Sequence, residues 1–156
     1  MPAFKKILFP IDFSGFSEQV FPNALQMAET FGAKLYLLFV ARDISYLTTI
    51  DVSPDLLTNT VAEVARAGEK KMEAFCQKNL RDFSNYETKV VAGNPADEIL
   101  KYADEQGIDF IIMGTHGRKG LERTFMGSVA DHVIKHASVP VLTVNPARPK
   151  VKYVHT

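Results

Sequence analysis

The chain has little with which to staple itself and little to draw it to a charged surface. Cys76 is the one cysteine in 156 residues, so no internal disulfide can form, and a reducing, cytoplasmic setting is the expectation. Lys plus Arg is 18 and Asp plus Glu is 18, so the formal net charge is 0. That balance removes any general attraction to nucleic acid or anionic lipid, and neither partner is expected. The longest apolar run, Leu35 to Ala41, is far too short to span a bilayer. The opening Met1-Pro-Ala-Phe-Lys-Lys6 runs straight into a strand-like segment, without the apolar stretch of a signal peptide. What is present is the composition of a folded domain, with 46% apolar residues. The length suits one domain, over residues 1–146, followed by a C-terminal extension over 147–156 that carries Pro149.

Strand and helix patterns alternate from end to end. Lys6 to Asp12 is almost continuously apolar, as expected of a strand covered on both faces. Ser17 to Phe31 then places Val20, Phe21, Ala24, Leu25, Ala28 and Phe31 at helical spacing, with Gly32 as the stop. Pro22 is awkward there: it marks a first turn or a kink. Lys34 to Val40 is a second strand, with Val40 at its C-terminal end. A mixed segment over 42–53 follows, with Tyr46, Leu47 and Ile50, long enough for a lid or a partner surface. Ser53-Pro-Asp55 opens a helix that runs to about Leu80, with Gly68 as a possible break. Thr88 to Ala92 is a third strand, and Gly93-Asn-Pro95 turns into a helix that Gly107 ends. Asp109 to Met113 is a fourth strand, Val129 to about Ala137 a helix, and Val139 to Val144 a fifth strand. This alternation predicts an α/β fold, an open parallel sheet of five strands with helices on both faces. Ligands in such sheets bind beyond the C-terminal strand ends, where connections leave to opposite faces. Asp12, Val40 and the segment after Met113 all fall on that rim.

The segment after the fourth strand carries the chemistry. Gly114, Gly117, Gly120 and Gly127 fall within fourteen residues, and Gly127-Ser128 stands where a helix begins. Glycine lets a ligand come close to the main chain. The unsatisfied N–H groups and positive dipole end of a helix attract an anion, and Ser128 is placed to cap that helix and still offer a hydroxyl. Arg118, Lys119 and Arg123 bring positive charge against one acid, Glu122. A bound phosphate is the reading. The P-loop spacing is absent, and so is Gly-x-Gly-x-x-Gly. What is present is Gly114-x2-Gly117-x9-Gly127-Ser128.

That spacing resembles the nucleotide-binding signature of the universal stress protein family, in its ATP-binding branch. The resemblance extends over nearly the whole chain. It includes Ile11-Asp12-x-Ser14-x-x-Ser17, Gly93-Asn-Pro95, Ile111-Ile-Met-Gly114, Gly127-Ser-Val129 and Val139-Pro-Val141. It implies a Rossmann-like sheet of order 3-2-1-4-5 with an adenine nucleotide between the first and fourth strands. Asp12 would lie by the nucleoside, and the Val40 backbone by the adenine. Met113 and Gly114 would line the ribose and phosphate side. Gly117, Gly127, Ser128 and Val129 would hold the phosphates, largely through main-chain N–H groups. With Pro10, His116 and Arg118 these make up the candidate cofactor-binding set; no catalytic or metal-binding residue is assigned. Phe39 departs from the family, where a His is common before the valine. ATP is the expected ligand, with ADP or AMP as alternatives and Mg²⁺ as a companion. The resemblance implies a homodimer through Val139 to Val144 and a regulatory or stress-response role with a protein partner of unknown identity. The alternatives are a slow ATPase or transfer enzyme, and a partner-binding module that needs no nucleotide.

The same residues have plainer roles open to them. Asp12 could form a turn, Ser14 and Ser17 could be turn and cap residues, and the loop cations could be solvated. His132 and His136 are four apart on a helix, but without His-Glu-x-x-His they read as surface. His116 has no ligand-spaced neighbour. Cys76 reads as a small packed or half-exposed residue rather than a nucleophile.

Overall fold

The structure, a computed structural model, describes residues 4–42, 53–115 and 127–146. The core of the glycine loop, with His116, Gly117, Arg118, Lys119, Gly120, Glu122 and Arg123, lies outside the described residues. So do Tyr46, Leu47, Ile50 and the 147–156 extension. The elements are β1 (Lys6–Pro10), α1 (Gly15–Phe31), β2 (Lys34–Arg42), α2 (Pro54–Asn79), β3 (Tyr86–Gly93), α3 (Pro95–Gln106), β4 (Phe110–Gly114), α4 (Ser128–His136) and β5 (Val141–Val144). All pairings are parallel, in the order β3-β2-β1-β4-β5. The expected Rossmann-like α/β fold is the observed one.

Alternation along each strand feeds two cores. Ile7, Phe9, Ile11, Leu35, Leu37 and Phe39 pack with Val20, Phe21 and Ala24 of α1 and Met72, Phe75 and Cys76 of α2. Leu8, Tyr36, Leu38, Ile111 and Met113 pack on the other face with Ile99 and Tyr102 of α3 and Ala130 and Val133 of α4. The chain therefore covers one face on its way from β1 out to β3. It then crosses to the far side of β1 and covers the other face. Connections diverge between β1 and β4, which makes that gap the topological switch point.

Several boundaries differ from expectation, each for a local reason. β1 stops at Pro10 rather than Asp12, because the carboxylate of Asp12 turns the chain. Ser14, not Ser17, caps α1: its Oγ accepts the Ser17 N–H at 3.2 Å. The helix thus starts at Gly15, and Pro22 falls in its interior beyond the second turn, not in its first. β2 continues to Arg42, so Val40 is not its last residue; pairing with β3 runs as far as Arg42↔Gly93. β3 is longer than expected at both ends. β4 begins at Phe110 because Asp109 holds the start of β1 instead, taking the Lys5 and Lys6 backbone N–H groups at 2.9 and 3.1 Å. β5 begins at Val141, after Pro140. Gly68 does not break α2. A Cβ there would run into the Phe39 ring, so the glycine is where helix and sheet meet.

Candidate functional site

The C-terminal end of β1 is built as a turn. Asp12 Oδ1 accepts both the backbone N–H of Ser14 at 2.9 Å and its hydroxyl at 2.6 Å. Ser17 Oγ accepts the Asp12 N–H at 3.3 Å. The residue between them, Phe13, sits at φ 62, a left-handed conformation that a bulky side chain rarely takes. Its ring is fixed against Phe39 and Phe75, with centroids 5.1 and 6.4 Å away. Packing therefore holds a strained residue beside the crevice. Sequence reasoning missed Phe13, and no local signal marks it.

Continuing the β1 registers past Pro10 sets Asp12 level with Val40 on one side and Thr115 on the other. Backbone groups alternate in direction along β2. Leu35 N–H bonds toward β3, at Asn85 O, and Leu38 O bonds toward β1, at Ile11 N. The N–H and C=O of Val40 therefore point toward β1, into the gap where that strand has ended.

The opposite wall is β4 with the start of α4. Thr115 N–H donates to Val144 O at 3.0 Å, and Gly127 N–H donates to Thr115 O at 2.6 Å. The glycine loop therefore leaves and returns at one point. A Cβ on Gly127 would sit 3.3 Å from the Thr115 carbonyl, so the glycine serves this close approach. Its own N–H is already committed. Thr115 was not among the candidates, and it is the residue that closes the loop.

Gly127, not Ser128, occupies the cap position of α4, and among the described residues no side chain caps the helix. Ser128 is exposed in the first helical position. The first intrahelical bond is Asp131 N–H to Gly127 O at 3.0 Å. The N–H groups of Ser128, Val129 and Ala130 lie ahead of it and point out of the helix end.

Of the candidate set, the structure brings Pro10, Asp12, Val40, Gly114, Gly127, Ser128 and Val129 to one rim at the switch point. Met113 is there by its backbone only, since its side chain is buried in the second core. His116, Gly117 and Arg118 lie outside the described residues. Among the described residues no group of three or more His, Cys, Asp or Glu side chains is placed to hold a metal. The His132 and His136 rings lie with centroids 4.3 Å apart and planes tilted by 51°, and His132 Nε2 is 3.6 Å from Asp97 Oδ1. Cys76 is buried, and burial pushes its thiol pKa up, which suits packing rather than attack. No described helix is long and apolar enough to cross a membrane.

Comparison with known proteins agrees with the architecture. The universal stress protein family model matches residues 3–145. Universal stress protein MJ0531 of Methanocaldococcus jannaschii is 34% identical over 151 residues, which span 90% of this chain and 82% of that protein. Universal stress protein UspA from Lactobacillus plantarum superposes with a TM-score of 0.79 at 25% identity, over 92% of this chain and 99% of its own. A universal stress protein family protein from Arabidopsis thaliana, solved with AMP bound, has a TM-score of 0.63 at 22% identity, over 90% and 91% of the two chains. That identity speaks for the fold alone. The match over nearly the whole length, joined to the sheet order and the glycine-closed rim, places the chain in the universal stress protein family.

Proposed function

We propose that this protein binds an adenine nucleotide, ATP first and ADP or AMP as alternatives, and acts as a nucleotide sensor in a stress or regulatory response. The observation that carries the reading is the start of α4 at the switch point, capped by no described side chain and facing Val40 and Asp12 across the end of β1. Ser128 and Val129 N–H groups, with the helix dipole, suit phosphate oxygens. Val40 offers a donor and an acceptor in line, as an adenine edge requires. Asp12 stands beside the nucleoside, its Oδ1 already used by Ser14. Pro10, Met113 and Gly114 form the floor by their backbones; His116, Gly117 and Arg118, which the family resemblance adds to the set, lie outside the described residues. Mg²⁺ in this reading travels with the phosphates rather than in a protein cage. The fold supports AMP in the Arabidopsis relative. Binding ranks ahead of catalysis, because among the described residues the rim offers hydrogen-bonding groups and no nucleophile with its base. We place the working protein in the cytoplasm, as a homodimer joined along β5.

Ser128→Glu tests the reading. A carboxylate in the first turn favours the helix dipole, so the fold should be unharmed or slightly more stable. The same charge occupies the phosphate position and should abolish the thermal shift given by ATP. Gly127→Glu is a poorer probe, because it also crowds the Thr115 carbonyl. Full ATP binding by Ser128→Glu would sink the site. Mass analysis of nucleotide released from freshly purified protein then identifies the ligand.

A further inference from the structure

The sheet ends at β3 on one side, and that edge has a definite chemistry. Leu35 N–H bonds to Asn85 O at 3.0 Å, and Leu35 is registered with Tyr86. Odd-numbered residues of β3 therefore face β2. The backbone N–H and C=O of Tyr86, Thr88 and Val90 point away from the sheet. Side chains alternate as well: Tyr86 and Val90 pack against the first core, on the α2 side with Thr88. Glu87 and Lys89 stand on the opposite face, both exposed. Among the described residues nothing pairs with the outer side of β3, and a strand edge of this length is a template for another strand.

We propose that β3 pairs with β3 of a second copy of this chain, antiparallel, about a two-fold axis through Thr88. In that register Thr88 faces Thr88, and Tyr86 faces Val90 of the second copy. These are the residues whose backbone groups point outward, so each pair exchanges two backbone bonds. Glu87 then lies opposite Lys89 of the second copy, in the non-hydrogen-bonded position where side chains stand closer. Tyr86 against Val90 is an aromatic–β-branched pair, a favourable cross-strand combination. Neighbouring registers fail: a two-fold at Glu87 or Lys89 sets like charges face to face, and a half-step sets outward backbone groups against inward ones. Glu87 already holds Lys34 at 2.8 Å, so the second copy's lysine would complete a row of alternating charge.

The groove beside this edge agrees. It has a volume of about 700 Å³ between α2 and β3, with Glu69, Glu73 and Lys89 towards one end and Arg81 towards the other. A two-fold reverses the second groove and brings its Arg81 end beside the Glu69 and Glu73 of the first. The contact is isologous and separate from the β5 edge.

Sedimentation of the full-length protein and two variants tests this. Lys89→Glu and Glu87→Lys each place like charges opposite one another, twice per pair. Each should raise the dissociation constant of the β3 contact by roughly tenfold or more. An equal mixture of the two variants should associate again, since one partner then carries both acids and the other both bases. Thr88→Cys, made in a Cys76→Ser background, should form a covalent dimer on mild oxidation, because Cα atoms about 5.5 Å apart suit a disulfide. Association through β5 touches neither charge and survives in both variants. A parent protein that sediments like both variants overturns the proposal, as does a mixture that stays dissociated.

Discussion

Gly68→Ala in α2 is the sharpest test of how helix and sheet are fitted together. In an exposed helix this change stabilises by about 1 kcal/mol, because glycine is the worse helix former. Here the new methyl would overlap Cδ1 and Cε1 of Phe39, a ring only 6% exposed. That ring is not a loose side-chain end. It lies against Phe13, centroid to centroid 5.1 Å, and Phe13 in turn lies 6.4 Å from Phe75. Overpacking at a well-filled site costs about 1–3 kcal/mol, so the net effect should be a loss of roughly 0–2 kcal/mol. In a Phe39→Val background the clashing atoms are gone, and Gly68→Ala should recover its gain of up to about 1 kcal/mol. The two effects differ by about 1–3 kcal/mol, within reach of a double-mutant cycle measured by urea denaturation. Stabilisation of the parent protein as large as that in the Phe39→Val background would refute the packing argument.

Two further outcomes follow from other positions. Among the described residues the buried Tyr102 hydroxyl has no hydrogen-bond partner, so Tyr102→Phe should be neutral or stabilise by about 1 kcal/mol. Burial, helped by Glu87 and Tyr36, pushes the Tyr102 pKa up from 10.0 to about 12. Its neutral form is favoured in the fold, so the contribution is fully present below pH 10 and is lost as pH rises from about 10 to 12. It amounts to at most about 3 kcal/mol, and the alkaline limb of stability should flatten in Tyr102→Phe; an identical limb in both proteins contradicts this. Ser14→Ala removes the α1 cap and a ligand of Asp12, and should lower stability by about 1 kcal/mol, or roughly 2–4 °C in Tm. It should also weaken ATP binding; unchanged stability would show that Ser14 is not the cap.

The fold was legible because its signals are local and repeated. Apolar runs, the Asn94 cap and Pro95, and the stops at Gly32 and Gly107 each act within a few residues, and all agree. Strand order was legible only through family resemblance, since nothing in a single strand says which neighbour it takes. The misplaced boundaries came from side chains acting at a distance along the chain. Asp109 reads as the first residue of a strand until its carboxylate is seen holding Lys5 and Lys6 across the sheet. Gly68 reads as a weak point until Phe39 is seen against it. Ser128 reads as a cap by its type, yet the close approach of Gly127 to Thr115 moves the cap position back by one residue.

The site separates into groups already used and groups that still look outward, and this division bears on function more than the motif does. Glycine signatures suggest that each glycine donates to a phosphate. Gly127 donates to Thr115, so its part is to let two backbone segments meet. Asp12 suggests a ligand contact, but its Oδ1 is spent on holding the Phe13 turn. The amide groups at the start of α4 and the backbone of Val40 carry no such duty to the turn or the loop closure. One set suits an anion, and the other suits a planar ring edge with a donor beside an acceptor. They are held on different elements, α4 and β2, with the end of β1 between them. A ligand that satisfies both must be long and amphoteric in this way, charged at one end and a hydrogen-bonding heterocycle at the other. Free phosphate satisfies only the first set and adenosine only the second. An adenine nucleotide should therefore stabilise the protein more than phosphate and adenosine supplied together, because joining the two ends makes the second contact intramolecular.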